Sequence, residues 1–155
     1  MKRVAFLALP LMLAGVARAH DAELVLRLER VPSFQVSASL QGLAQTRLSL
    51  EALEAPFIEV LRKRGRRIDQ NNYDNSVSTF VEVASSGAKY AVDIHFAYRE
   101  PCTVNRLKVE MSCPVWEHYE PLQMFSTLDD AVAYIMATTK AAARLFDAEI
   151  EASQK

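Results

Sequence analysis

The segment from Lys89 to Arg99 alternates apolar and polar side chains, and this alternation constrains the fold more than any other feature of the sequence. Successive side chains of a β-strand point to opposite faces, so the pattern predicts a strand with one buried face. The polar positions include Asp93 and His95, which are expected to lie with Arg99 on the other face. The apolar positions are Tyr90, Val92, Ile94, Phe96 and Tyr98.

Other segments have strand-like patterns of β-branched residues or alternating side chains. Ser85–Gly87 predicts a tight turn before the strand just described. Ala22–Arg30 is rich in leucine, so a short helix is an alternative there. The predicted strands are Ala22–Arg30, Phe34–Leu40, Val77–Ala84 and Thr103–Met111, and the first two could form a hairpin.

Two segments change to a helical period. Leu50–Arg64 has one apolar face and is expected to end at Gly65; Pro56 either begins this helix or kinks it. A second helix is expected to begin after the N-cap Thr127. Its apolar stripe comprises Leu128, Val132, Ile135, Thr139, Ala142 and Phe146. The order β-β-α-β-β-β-α predicts an α+β fold, with a mainly antiparallel sheet of about five strands and both helices on one face.

The N-terminus has the pattern of a secretory signal peptide. A basic start, Met1–Arg3, precedes an apolar run that is too short to span a bilayer, and Ala17 and Ala19 fit an A-x-A cleavage site. The sequence therefore predicts a cleaved segment, residues 1–19, and one globular domain, residues 20–155, in the periplasm or secreted. The mature chain would carry 15 basic and 19 acidic residues, a net charge of −4, and no transmembrane segment.

Export determines how the two cysteines are interpreted. Cys102 and Cys113 are the only cysteines in the chain. An oxidising compartment favours a disulfide between them, which would stabilise the fold by roughly 3 kcal/mol. Their spacing does not match the C-x-x-C motif of thiol redox centres. We therefore expect one structural disulfide.

Composition and motifs argue against two large classes of function. The 18 basic and 19 acidic residues give no electrostatic indication of a nucleic-acid partner. The sequence contains no G-x-S-x-G, H-E-x-x-H, P-loop or G-x-G-x-x-G motif. A small hydrolase using Asp93 and His95 as an acid–base pair is therefore kept only as an alternative.

His20 would become the N-terminal residue after cleavage. Its free amine and imidazole would then chelate copper, and His95 or His118 would supply another nitrogen. This arrangement resembles the histidine brace of secreted copper proteins in that one residue. Copper binding through His20 is therefore a second hypothesis, and no other cofactor is indicated.

Two segments are candidates for binding a partner. The first is a basic run that would suit phosphate groups or an acidic protein surface, although cations are also favoured at the end of a helix. The second follows the disulfide, where Trp116 and Tyr119 lie beside charged residues between Pro114 and Pro121 in a predicted loop. Such a loop suits either molecular recognition or coverage of the core. The basic run comprises Arg62, Lys63, Arg64, Arg66 and Arg67.

These observations predict an exported, non-catalytic binding or accessory protein. Its partner would be an unidentified protein or another component of the cell envelope. The sequence does not identify that partner.

Overall fold

A computed structural model describes residues 31–104, 106 and 108–152. The predicted signal peptide, His20 and the predicted strand Ala22–Arg30 lie outside these residues. The strands are β1 (Ser33–Gly42), β2 (Arg67–Ile68), β3 (Ser76–Ser86), β4 (Lys89–Val104) and β5 (Val109–Phe125). The helices are α1 (Leu50–Lys63) and α2 (Leu128–Ala152), and a short 3-10 helix, Leu43–Thr46, follows β1.

The described strands form one sheet in the order β2-β1-β3-β4-β5. The neighbours β3, β4 and β5 are antiparallel, as expected for strands joined by short turns. β1, however, is parallel to both β2 and β3. The α+β class is confirmed, and the sheet, although mixed, is antiparallel over most of its paired residues. The parallel pairing is possible because α1 provides the crossover between β1 and β3.

The outer edge of β1 is only partly paired. β2 pairs with Ser33 and Phe34, and further along the strand the Ala38 N–H donates to the side chain of Glu54 at 3.1 Å. Burial raises the pKa of Glu54, while the hydrogen bond from Ala38 opposes that shift. α1 therefore supplies an acceptor to an edge strand that would otherwise present this donor to other chains.

Both helices begin at residues that satisfy their first backbone donors. The Ser49 hydroxyl accepts from the Ala52 N–H, and the Thr127 hydroxyl accepts from the Asp130 N–H. α1 extends through Pro56, so of the two alternatives for this proline the structure has the longer helix.

α1 and α2 pack on the same face of the sheet, as predicted. The Phe57 ring of α1 lies 5.8 Å from Phe96 of β4 and 6.1 Å from Phe146 of α2. Phe146 also lies 5.1 Å from Trp116 of β5. Four of the five apolar positions predicted in β4 are fully buried on this face: Val92, Ile94, Phe96 and Tyr98.

The predicted strand Thr103–Met111 is wrong. Thr103 lies at the end of β4, one residue before its last, and Met111 belongs to β5, with Arg106 and Lys108 in the turn between the two strands. Lys108 adopts a positive φ of 51°, a conformation found in tight turns. The alternating pattern continues through this turn, so periodicity alone did not reveal the reversal.

The Cys102–Cys113 disulfide is confirmed, and it joins the two strands on either side of that turn. The disulfide lies beyond the last pair between β3 and β4, Ser76 with Arg99. β4 and β5 therefore continue past the rest of the sheet as a two-stranded arm, residues 100–104 and 109–113. The disulfide joins the base of the arm, where Cys113 pairs with Glu100, to its middle, where Cys102 pairs with Met111.

The segment Trp116–Glu120 is also a strand and not the predicted loop. Pro114 and Pro121 suggested a loop because proline cannot donate a backbone hydrogen bond within a sheet. β5 is the last strand of the sheet, and an edge strand tolerates proline where no further strand needs its hydrogen bonds.

Candidate functional site

The face of the sheet opposite the helices is not covered by any described element. We call it the open face. On β1 it carries only polar side chains, whereas on β3, β4 and β5 it mixes aromatic, apolar and charged ones. Asp93, His95 and Arg99 lie on this face, as the alternation in β4 predicted. The β1 side chains are Gln35, Ser37, Ser39 and Gln41, placed there by their pairing with β3.

Three large side chains of β5 are exposed on the open face. Tyr119 pairs with His95 and Met124 with Ala91, so both point to the same side as these β4 residues. Between these pairs β5 has a bulge, which places Pro121 and Leu122 opposite Asp93. Tyr119, Leu122 and Met124 are 61%, 64% and 46% exposed. They form one apolar stripe along the edge strand.

Tyr119 is held in place by a stack with a neighbouring ring. Its ring centroid lies 3.9 Å from that of His95, with an angle of 6° between the planes. The Tyr119 hydroxyl donates to Glu117 at 3.3 Å. Partial desolvation and the Glu117 carboxylate raise the pKa of Tyr119, so the hydroxyl keeps the proton that it donates. A preorganised aromatic side chain loses little entropy when a partner binds.

His95 has a buried nitrogen without a hydrogen bond. Its Nε2 atom lies 3.5 Å from a carboxylate oxygen of Glu117, but the two groups do not have hydrogen-bond geometry. Among the described residues, Nε2 of His95 is the only buried side-chain nitrogen or oxygen atom without a hydrogen-bond partner. Protonated His95 would be attracted to Glu117 at this distance.

Two carboxylates lie side by side in the middle of the open face. Glu82 of β3 pairs directly with Asp93 of β4. Neither carboxylate forms an ion pair or a hydrogen bond within the part of the chain that the structure describes. Lys89 and Arg99, the nearest cations along β4, lie in the first and last pairs between β3 and β4. The centre of the face is therefore acidic.

The basic run predicted as a binding site is partly used in joining the helices. Asp147 of α2 accepts from Lys63 at 3.0 Å and from Arg64 at 2.6 Å, and Arg64 also contacts Glu151 at 3.3 Å. The Arg64 side chain is only 19% exposed. Lys63 and Arg64 therefore join α1 to α2 through ion pairs.

The other three members of the run lie at or beyond the end of α1. Arg67 forms an ion pair with Asp69 at 3.1 Å. Arg62 is exposed and Arg66 is partly buried. Because Lys63, Arg64 and Arg67 form ion pairs within the molecule, the run presents less free positive charge than the sequence suggests.

The second predicted segment separates into two faces. Trp116 points toward the helices and is 7% exposed, whereas Tyr119 points to the open face. His118 shares the side of Trp116, and its Nε2 lies 2.9 Å from Glu120, which also accepts from the Tyr134 hydroxyl at 3.3 Å. Of the two aromatic side chains predicted to bind a partner, Tyr119 is therefore the accessible one.

The predicted histidine ligands do not converge. His95 and His118 lie on opposite faces of the sheet, so one copper ion cannot take both. His20 is outside the described residues. Within those residues, no group of three or more His, Cys, Asp or Glu side chains is placed to hold a metal ion. Copper binding through His20 stays a prediction.

The hydrolase alternative also stays untested. Asp93 is exposed and His95 lies two residues along the same face. No hydrogen bond links their side chains; His95 contacts Glu117 and Tyr119 instead. This arrangement does not have the oriented acid–base pair that the alternative requires.

The sequence did not single out Glu82, Leu122 or Met124. Leu122 and Met124 belong to a segment in which the bulge breaks the alternation, so their common face is not visible in the sequence. Glu82 faces Asp93 only through the register of β3 and β4. The alternation of these two strands gave their faces, and the short turn between them was the available signal for the register.

Comparison with known proteins gives no family for the chain. No family model matches it, and no curated protein matches it significantly. A similar solved structure is a crystal structure of a minor lipoprotein from Acinetobacter baumannii, with a TM-score of 0.38 and 11% identity. The match covers 81% of this chain and 96% of that chain. At this TM-score the likeness carries no inference about function.

The described part of the chain contains two α-helices. Neither of its two helices combines the length and the apolar character that crossing a bilayer requires.

Proposed function

We propose that this protein is an exported, non-catalytic accessory protein that binds another protein through the open face of its sheet. The observation that carries the proposal is the apolar stripe of Tyr119, Leu122 and Met124. Single exposed apolar residues are common on protein surfaces, but adjoining large ones mark interaction sites. Tyrosine is also enriched at the centres of interfaces.

The shape of the site supports protein binding more than catalysis or capture of a small molecule. The open face is a sheet surface, whereas small-molecule sites are concave and enclose most of the ligand. Tyr119 is already stacked on His95, so its ring is fixed before a partner arrives. An uncovered sheet surface with a fixed aromatic side chain suits another protein surface.

Two observations support export. The N-terminal sequence has the pattern of a signal peptide. Cys102 and Cys113 form a disulfide, and disulfides persist mainly in oxidising compartments such as the periplasm. We therefore place the proposed interaction in the periplasm or outside the cell.

Site-specific photo-crosslinking in the host tests this function. A photoreactive amino acid replaces Leu122 on the open face or, as a control, Ala141 on the exposed side of α2. We expect a discrete crosslinked protein from position 122 and none from position 141, measured by immunoblotting and mass spectrometry.

Leu122 is well suited to this replacement because its exposed side chain can be changed without disturbing the core. Equal crosslinking from positions 122 and 141, or none from position 122, would contradict the proposed function.

A further inference from the structure

We propose that the open face binds a cationic, amphipathic segment of its partner protein. This inference rests on the proposed function and concerns the chemistry of the same site. It is carried by the carboxylates of Glu82 and Asp93, which lie directly beside the apolar stripe.

The register of the strands places these groups in adjoining rows. One row runs from Glu82 across Asp93 to Leu122. On one side of it lies the row with His95 and Tyr119, and on the other the row that ends at Met124. Neighbouring strands are about 4.8 Å apart, so both carboxylates are within reach of a segment lying on the stripe.

Within the described part of the chain, no cationic side chain compensates the charges of Glu82 and Asp93. Like charges directly opposite each other on neighbouring strands destabilise a sheet. In the described part of the chain, no Lys or Arg side chain forms an ion pair with Glu82 or Asp93. Lysine or arginine side chains from a bound segment would remove this repulsion, while apolar side chains of the segment cover Leu122.

The segment is expected to lie on the face and not to extend the sheet at β5. Pro114 and Pro121 each lack a backbone N–H, and the bulge at Pro121 and Leu122 interrupts a regular edge. Prolines and bulges are common devices that block strand addition. The negative centre of the face also disfavours the anionic head groups of a membrane surface.

Peptide binding to the purified chain tests this inference. The probes are a fluorescent amphipathic peptide of leucine and lysine, and a matched peptide with glutamate in place of lysine. The double variant Glu82→Gln, Asp93→Asn removes the acidic pair. Its control, Glu51→Gln, Glu59→Gln, removes two exposed carboxylates from α1.

We expect fluorescence anisotropy to show binding of the lysine peptide and weaker binding of the glutamate peptide. Loss of the acidic pair should weaken binding of the lysine peptide by about tenfold, which corresponds to about 1.4 kcal/mol of binding free energy. The control should change affinity by less than about twofold. Vesicles of phosphatidylglycerol should not bind.

A third variant, Tyr119→Ser, Leu122→Ser, separates the two proposals. If it abolishes binding while the acidic-pair variant binds normally, the open face is a binding site but the cationic partner is wrong. If neither variant weakens binding, both proposals fail. Binding of the vesicles through this face would also overturn the inference, because it would identify a lipid surface as the partner.

Discussion

Arg64 joins the two helices through ion pairs, and its pair with Asp147 is partly buried. Its guanidinium contacts Asp147 at 2.6 Å, and the two side chains are 19% and 20% exposed. Burial raises the pKa of Asp147, but hydrogen bonds from Lys63 and Arg64 outweigh that effect and leave the pKa below its ordinary value. Arg64 therefore has a structural role within the basic run.

Arg47 provides a matched comparison for Arg64. It contacts Asp129 of α2 at the same 2.6 Å, but these side chains are 51% and 82% exposed. We expect Arg64→Gln to lower the free energy of unfolding by about 2 kcal/mol, because hydrogen bonds to charged groups are strong when partly buried. Arg47→Gln should cost less than about 0.5 kcal/mol. Urea denaturation at pH 7 measures both changes.

The effect of Arg64→Gln should depend on pH. A carboxylate with a lowered pKa in the folded state stabilises the fold above its unfolded pKa, and this contribution disappears as the pH falls through the folded pKa. The difference between wild type and Arg64→Gln should therefore shrink below the ordinary aspartate pKa of 3.8. Equal losses for Arg64→Gln and Arg47→Gln at pH 7 would contradict this account.

The sequence predicted the positions of single residues where the alternation of side chains along a strand determines which face of the sheet each one lies on. Asp93, His95 and Arg99 share a face, as predicted from the alternation in β4. For β5 the two prolines indicated a loop, so the sequence did not predict which β5 side chains share a face. For that reason Trp116 and Tyr119 were grouped as one recognition segment, although their side chains lie on opposite faces.

Among the elements, the arm formed by β4 and β5 is the one that extends beyond the rest of the sheet. Its last residues pair only with each other among the described strands, and Val109 and Met111 are about half exposed there, at 50% and 51%. A two-stranded hairpin alone is marginally stable in water. The Cys102–Cys113 disulfide therefore supports an element with little packing of its own.

Replacement of both cysteines by serine should loosen the arm without unfolding the core. The lost constraint corresponds to about 3 kcal/mol in the chain-entropy model, so amide exchange between residues 103 and 111 should accelerate by up to about a hundredfold. The amides of Ile94 and Phe96, which lie between β3 and β5, should keep their protection. Hydrogen exchange followed by mass spectrometry distinguishes the two regions.

Uniform acceleration across β4 would show that the arm and the core open together. Unchanged exchange in the arm would show that its strand pairing is stable without the disulfide.

For the whole molecule, the sequence predicted the class, both helices, the disulfide and the mainly antiparallel sheet, but not the parallel pairing of β1. Hydrophobic patterns identify a strand and its buried face, but they do not name its neighbours. The parallel pairing of β1 with β3 places Val36 beside Val77, and the whole of α1 lies between these two residues in the sequence. The open face is uncovered because α1 and α2 both pack on the opposite face of the sheet.

The mixed pairing has a consequence for the order in which the chain folds. β3, β4 and β5 follow one another and need only short turns to pair, whereas β1 must close a loop that contains α1. Closing a long loop costs entropy before its contacts form. We expect the antiparallel hairpins to form in the folding transition state and β1 to join afterwards.

Val36 and Val81 test this order as matched probes. Both are buried on the helix face, at 2% and 0% exposure, in β1 and β3 respectively. Each substitution to alanine should destabilise the fold by about 2 kcal/mol. In stopped-flow measurements, Val81→Ala should slow folding, whereas Val36→Ala should mainly speed unfolding. The reverse result would make β1 part of the nucleus, and β1, synthesised before the other described strands, would then also be among the first to fold.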